Sequence, residues 1–257
     1  LLQKAIEIQP NFAAAHNNLG IVFKELGEHK KAMSHFQKAI KIQPNFESAH
    51  YNLGVAFDRL NEFQKAIGCY EKVIQINPNY AAAYNNLGNV LKKLGEYEKA
   101  MSCYKKVIQI NPNFAAAYNN LGVTFNELNE FQKAIGCYEK AIQINPNFAA
   151  AYNNLGLVFE NLDLTQKAIG CYEKTIQIDP NYVAAYNNLG KILGNLNRVN
   201  EAKKYFEKSL NLDPNREKTC ENYGDLLLKL NQHIKALAYL RKGTGFIRFT
   251  QKDFKII

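Results

Sequence analysis

The chain has 257 residues, of which 47% are hydrophobic and 21% are charged, a composition that excludes a disordered polypeptide. Its 32 basic residues exceed its 23 acidic ones, but the lysines are spread along the chain, which argues against nucleic-acid binding because that function concentrates charge along one face. No apolar run approaches the ~18 residues that a membrane helix needs, so no membrane span is predicted.

The first regular feature along the chain is the spacing of its prolines. Seven prolines lie 34 residues apart, which predicts an internal repeat. Each period carries two apolar patterns of helical spacing around a short turn such as Leu94-Gly95-Glu96-Tyr97, so each unit is predicted to be a helical hairpin. The proline ends the second helix because it lacks a backbone donor. The asparagine after it, as at Asn79 and Asn113, is predicted to cap the next helix.

The period sets the predicted boundaries. Residues 1–12 are a partial repeat with a second helix only, and residues 217–245 are a degenerate seventh repeat in which Tyr223 and Cys220 replace a leucine and an aromatic. Residues 246–257 form a C-terminal cap or the start of a removed domain. Since the chain begins inside a repeat, we expect its natural start to lie upstream. The six full repeats are 13–46, 47–80, 81–114, 115–148, 149–182 and 183–216.

Small residues recur where two helices must approach closely. The first helix carries a glycine such as Gly88 and the second an alanine such as Ala100, while Leu87, Tyr84 and Tyr104 fill the space between helices. A hairpin of this size cannot bury both faces alone, so neighbouring hairpins must stack.

This pattern of aromatic-x-x-Leu-Gly-x-x-Phe/Leu, then Ala, then Phe/Tyr, then Pro resembles the tetratricopeptide repeat (TPR) family over residues 1 to about 242. The resemblance implies an all-α fold, a right-handed α-solenoid superhelix of 34-residue antiparallel helix pairs, with the first helix of each pair lining a concave groove. In style it is similar to the TPR arm of O-linked N-acetylglucosamine transferase-like proteins, whose asparagine ladder grips the main chain of protein substrates.

Two columns of asparagine run along the first helices. Helix geometry separates them from Tyr84, Leu87, Gly88 and Leu91, so they are predicted to line the exposed face. A carboxamide donates and accepts a hydrogen bond at once, so a row of them can hold an extended backbone. The first asparagine column is Asn18, Asn52, Asn86, Asn120, Asn154, Asn188 and Asn222. The second asparagine column, predicted to face the groove, is Asn17, Asn85, Asn119, Asn153 and Asn187, with Tyr51 and Glu221 at the other two places.

The predicted function is therefore a protein–protein interaction module that binds an extended or disordered polypeptide. An acidic-tail clamp is disfavoured, because Ala82, Asn85 and Asn86 occupy the places where such a clamp needs basic residues. Three alternatives stay open. The first asparagine column could bond to backbone at the neighbouring repeat, the chain could be a structural scaffold that self-associates through its exposed repeat ends, or it could be the targeting arm of a larger transferase-type enzyme.

No chemistry beyond binding is predicted. No Ser/His/Asp or Cys/His set can be placed in a cleft, and no histidine pair has the spacing of a metal motif, so we expect no enzyme activity, metal, cofactor or small-molecule substrate. Cys69, Cys103, Cys137 and Cys171 share one position of the second helix and are predicted to be reduced, half-buried thiols, which favours a cytoplasmic location.

Overall fold

The computed structural model describes residues 6–244, 248–249 and 254–255. The first five residues of the partial repeat and most of the predicted cap therefore lie outside the described residues. Contacts divide the chain into two compact units, residues 1–129 and 130–257.

In the first unit, helical residues 6–8 precede three helix pairs and one further first helix. Partners within a pair pack most extensively, and each second helix also packs on the first helix of the next pair. The helices are α1 (Ala13–Glu25), α2 (His29–Ile42), α3 (Glu47–Arg59), α4 (Phe63–Ile76), α5 (Ala81–Lys93), α6 (Tyr97–Ile110) and α7 (Ala115–Glu127).

The second unit begins with a second helix and continues with three pairs. Its helices are α8 (Phe131–Ile144), α9 (Ala149–Asn161), α10 (Thr165–Ile178), α11 (Val183–Asn195), α12 (Val199–Leu212), α13 (Glu217–Lys229) and α14 (His233–Thr244). A short antiparallel ladder follows, in which β1 (Arg248–Phe249) pairs with β2 (Phe254–Lys255). All other described secondary structure is helical, so the fold is an all-α solenoid of stacked helix pairs.

The turn inside each pair requires left-handed backbone. Gly95 has a φ of 76°, and Asn61, Asn129 and Asp163 have φ values of 58°, 58° and 56° at the equivalent position. Glycine, asparagine and aspartate tolerate this region best, which explains why the turn position alternates among these three types.

The turn between repeats corrects one prediction. Asn79 does not cap the following helix: the helix-flanking residue is Tyr80, and no side chain caps the helix. Instead the Asn79 backbone N–H donates to Oδ1 of Asn77, which stands before the proline, at 3.1 Å. The same bond joins Asn113 to Asn111 at 3.0 Å. These two-residue side-chain turns hold the loop because a short carboxamide reaches backbone two residues on.

The core of most pairs contains a close contact between a glycine and an aromatic ring, and in the last pair Leu240 replaces the ring. A Cβ atom built on Gly88 would lie 2.6 Å from Tyr104 Cε1, and one built on Gly156 would lie 2.6 Å from Tyr172 Cε1. The rings of Tyr104 and Tyr172 are fully buried. Only the missing side chain of glycine lets the two helices reach this distance.

Replacing this glycine should destabilise the fold. We expect Gly88→Ala to lower the free energy of unfolding by about 1–3 kcal/mol, because the added methyl group must displace the buried Tyr104 ring. Gly68→Ala on α4 is the matched control: its Cβ would meet nothing within 4 Å, so it should raise stability by about 0.5–1 kcal/mol through helix propensity. Urea unfolding followed by helical circular dichroism measures both, and shifts of the same sign would contradict the packing argument.

Candidate functional site

The first asparagine column is hydrogen-bonded from repeat to repeat. Asn52 Nδ2 donates to Asn17 Oδ1 at 3.1 Å, and Asn188 Nδ2 donates to Asn153 Oδ1 at 3.2 Å. The same bond joins Asn222 to Asn187 at 2.9 Å. Each bond runs from the first column of one repeat to the second column of the repeat before it. Within each compact unit the two columns are therefore linked on the first-helix face, defined as the surface that carries both columns.

Bonds inside each repeat complete this network. Asn187 Nδ2 donates to Asn188 Oδ1 at 3.2 Å, and the equivalent contact from Asn85 to Asn86 is 3.4 Å. These contacts are at or beyond the usual 2.7–3.2 Å range, so they orient the carboxamides more than they stabilise them. Since each carboxamide has two donors and two acceptor lone pairs, hydrogen-bonding capacity remains after the intramolecular bonds are formed.

The two columns differ in exposure, and the sequence prediction had their order reversed. Asn17, Asn119, Asn153 and Asn187 of the second column are only 5%, 8%, 5% and 3% exposed, although they were predicted to face the groove. Asn86, Asn120, Asn154 and Asn188 of the first column are half-buried. At the buried members the amide of the following repeat lies over the second-column oxygen, as Asn222 does over Asn187. Asn85 differs, because it accepts the equivalent bond from Asn120 and is still half-buried like Asn86. Most members of the first column are thus more exposed than their second-column neighbours.

The sequence left open that the first column bonds to the backbone of the neighbouring repeat, and the structure shows a different acceptor. Its members contact the neighbouring repeat, but in the bonds that the structure shows the acceptor is a side chain and not backbone. Asn18 has no such bond to an earlier repeat among the described residues, and it is exposed.

Tyr51 interrupts the second column, and the network continues through its phenol. Asn86 Nδ2 donates to the Tyr51 hydroxyl at 3.0 Å. The ring lies 5.3 Å from that of Tyr80 and 6.1 Å from that of Tyr70, between centroids. Burial raises the pKa of Tyr51, and the bond from Asn86 partly offsets the rise. The phenol is therefore neutral at physiological pH and accepts the bond as the missing asparagine would.

A second layer of polar contacts lies beside the network. Asn120 Nδ2 donates both to Asn85 Oδ1 and to Asn89 Oδ1, each at 3.0 Å. Asn89 Oδ1 also accepts from the Tyr104 hydroxyl at 2.8 Å, so a core ring reaches the first-helix face. The Tyr70 hydroxyl makes no hydrogen bond among the described residues, and Val55 stands where the next repeat has Asn89. The sequence showed the asparagines but not these tyrosine contacts.

The charges on the first-helix face are paired across repeats. Lys93 Nζ lies 2.7 Å from Asp58 Oδ1, and Lys191 Nζ lies 2.7 Å from Glu160 Oε1. Glu160 also accepts from the Tyr172 hydroxyl at 2.9 Å. A lysine already bound to a carboxylate is a weaker receptor for an acidic peptide, so this face suits an uncharged ligand group such as a peptide backbone.

The histidines have structural contacts. His50 Nε2 lies 2.8 Å from the Pro44 carbonyl oxygen and His16 Nε2 lies 3.0 Å from that of Pro10. Tyr186 donates to the Pro180 carbonyl oxygen at 3.1 Å from the equivalent position. This position therefore fixes the turn between repeats. Among the described residues, no group of three or more His, Cys, Asp or Glu side chains is arranged to hold a metal ion, and no helix is long and apolar enough to cross a membrane.

Hairpins that repeat every 34 residues and carry equivalent polar side chains on their first helices define a helical-repeat protein. The tetratricopeptide repeat model matches residues 13–46, 48–80, 81–114, 115–148 and 149–182, and a second model of the same description matches residues 183–216 and 217–246. The chain therefore belongs to the tetratricopeptide repeat family, whose repeats are protein–protein interaction modules. No curated protein matches it.

Solved structures share the fold. A chain of the APC/C hetero-tetramer Cut9–Hcn1 matches with a TM-score of 0.76 at 20% identity, over 89% of this chain and 44% of that one. YrrB, described as a TPR protein with an unusual peptide-binding site, matches with a TM-score of 0.57 at 22% identity, over 72% and 95%. MamA matches with a TM-score of 0.55 at 33% identity, over 63% and 95%. The present chain thus spans less than half the length of the Cut9–Hcn1 chain that it matches.

The inter-repeat bonds should contribute to stability. We expect Asn120→Ala to lower the free energy of unfolding by about 1–2 kcal/mol, because Asn85 and Asn89 each lose a donor to a half-buried carboxamide oxygen. Asn18→Ala, at the exposed end of the same column, should change stability by less than about 0.5 kcal/mol. Urea midpoints of the two variants test this, and equal midpoints would show that the carboxamide bonds do not stabilise the array.

The cysteines should be unreactive while the chain is folded. All five are free thiols, and burial raises the pKa of Cys69, Cys103 and Cys171 to about 11. At pH 8 this lowers the thiolate fraction about a hundredfold relative to an exposed thiol, and the thiolate is the reactive species. Alkylation by iodoacetamide, resolved by mass spectrometry, should be about a hundredfold slower at these sites in the folded chain than in urea. Equal rates would contradict the burial.

Proposed function

We propose that the chain is a protein–protein interaction module that binds an extended, unstructured polypeptide along its first-helix face. The observation that carries the proposal is the carboxamide network, in which first-column asparagines such as Asn52, Asn120, Asn188 and Asn222 are held by the repeat before them. A carboxamide held in place loses less conformational freedom when a ligand binds, so more of its hydrogen-bond energy goes into affinity.

The hydrogen-bond inventory of the network favours a main-chain ligand. A first-column asparagine such as Asn188 uses one of its two Nδ2 hydrogens on Asn153 and keeps the other. Its Oδ1 accepts only the contact from Asn187 and keeps one lone pair. At such a repeat one donor and one acceptor remain, which is the complement of a single peptide group, whereas Asn120 directs Nδ2 to both Asn85 and Asn89. The carboxamides would then hold the main chain of the ligand, and any sequence preference would come from the side chains beside them.

The side chains around the carboxamides favour weak contacts that recur over many hairpins. Val55, Val123 and Leu157 are half-buried apolar side chains on the first helices at the position of Asn89, so different repeats would contact ligand side chains differently. Paired charges such as Lys93 with Asp58 leave little net attraction for acidic tails. Affinity would therefore grow with the number of repeats occupied, as in other multivalent binding.

The experiment is selection of a random linear-peptide library on the whole chain and on two matched variants. One variant changes Asn86, Asn120, Asn154 and Asn188 to alanine. The control changes four exposed carboxamides on the second helices of the same four repeats to alanine: Gln109, Gln143, Gln177 and Asn211. Both variants lose four carboxamides and no charge, so their difference reports the position of the amides.

We expect peptides to be enriched on the parent and on the control variant and lost on the first-column variant, provided that circular dichroism shows equal helicity. Affinity measured on enriched peptides should fall at least tenfold in the first-column variant. Equal enrichment on all three proteins would overturn the carboxamide site, and no enrichment on any of them would favour the scaffold alternative.

A further inference from the structure

A second candidate site lies away from the first-helix face, between helices α12, α13 and α14 of the second unit. It is a cleft of about 450 Å³. Its lining includes Lys203, Glu207, Tyr223, Lys235, Tyr239 and Lys242.

The lining of this cleft departs from the repeat pattern at several places at once. Tyr223 stands where the six other repeats have leucine, and Tyr239 stands where four repeats have cysteine, a change that Tyr205 of the sixth repeat shares. Lys203 stands at a position that is methionine, isoleucine or leucine in every other repeat. In a chain of nearly identical repeats, independent drift would scatter such changes, whereas these converge on one cavity.

The aromatic changes form a connected floor. The ring centroid of Tyr223 lies 5.4 Å from that of Phe206 and 5.0 Å from that of Tyr239. Tyr223 is buried, and its hydroxyl donates to Glu207 Oε1 at 3.0 Å. Tyr239 is only half-buried, so its ring brings the aromatic floor to the surface. Lys242 Nζ lies 6.0 Å from the centroid of Tyr239.

The charges of the cleft are positive and without carboxylate partners. In four earlier repeats the lysine equivalent to Lys235 forms a salt bridge with a glutamate three residues before it, as Lys65 does with Glu62 at 2.5 Å. Gln232 replaces that glutamate here. Among the described residues, Lys203, Lys235 and Lys242 form no salt bridge, and the only carboxylate of the lining, Glu207, already accepts the Tyr223 hydroxyl.

Three lysines above an aromatic floor match one class of ligand. Ammonium groups bind phosphate oxygens through charge-assisted hydrogen bonds, and an exposed tyrosine ring stacks on another planar ring. We propose that this cleft binds a phosphate joined to an aromatic ring, as in a phosphorylated phenol side chain or a nucleoside monophosphate. The two sources share this chemistry, and binding here is independent of the first-helix face.

Ligand-detected NMR on the whole chain tests the proposal with four probes: phenyl phosphate, adenosine monophosphate, phosphoserine and tyrosine. The first two carry ring and phosphate, phosphoserine lacks the ring, and tyrosine lacks the phosphate. We expect either or both of the first two to bind at least tenfold more tightly than phosphoserine and tyrosine. The tighter of the two identifies the source. Equal binding of phosphoserine, or no binding of any probe, would overturn the proposal.

Variants that restore the ordinary repeat residues locate the binding. Lys203→Ile and Tyr239→Cys each reintroduce a side chain that earlier repeats carry at that position, so the fold should tolerate both. We expect each to weaken binding of the ring phosphates about tenfold. Lys204→Gln removes a charge from the exposed neighbouring position of α12, outside the cleft, and should change affinity less than twofold. Equal losses in Lys203→Ile and Lys204→Gln would show nonspecific attraction and overturn the site.

Discussion

The close contact of a first-helix glycine with a large second-helix side chain, a ring in most repeats, determines how the two helices of a pair are placed. In the third repeat the ring of Tyr104 occupies the space that a side chain at Gly88 would take. This contact sets the distance between paired helices, and a hairpin at that distance still has an uncovered face. The next hairpin covers it, so stacking follows from the packing inside each pair. Because the ring is a tyrosine in four repeats, its hydroxyl can also reach the opposite side of the first helix, as it does at Asn89.

Stacking then creates the carboxamide network, and this accounts for asparagines in the middle of a helix. An asparagine costs about 0.5 kcal/mol relative to alanine at such a position, and two in succession double the cost. A half-buried hydrogen bond to the preceding repeat, such as that from Asn188 to Asn153, returns about as much. The network is therefore close to neutral for stability while it holds a row of polar groups in place. A row kept at little net cost is available for binding.

The sequence predicted the repeat and its hairpins because both depend on local period: prolines 34 residues apart, and apolar spacing within each half. It did not predict the partners of the asparagines, since the bond joins residues 35 positions apart, one more than the period. That offset arises from how neighbouring hairpins are stacked. For the same reason, the sequence predicted Asn153 to be the more exposed of the pair Asn153 and Asn154, whereas Asn154 is. The capping role given to Asn79 was wrong for a local reason, because the helix begins at Ala81 and the carboxamide of Asn77 reaches the loop first.

Nearly identical repeats give little information about function, whereas positions that depart from the repeat pattern give more. Duplication copies neutral residues as well as useful ones, so the number of asparagines is weak evidence for a function. Their hydrogen bonds are stronger evidence. The changes in the last two repeats are not copies of an earlier repeat. Tyr223 and Lys203 replace apolar residues that packing alone would retain. A buried tyrosine needs an acceptor, which Glu207 supplies, and a lysine in an apolar column needs water or an anion near its end. Polar groups placed at a cost in packing are the reason for proposing that the cleft between α12, α13 and α14 binds a ligand.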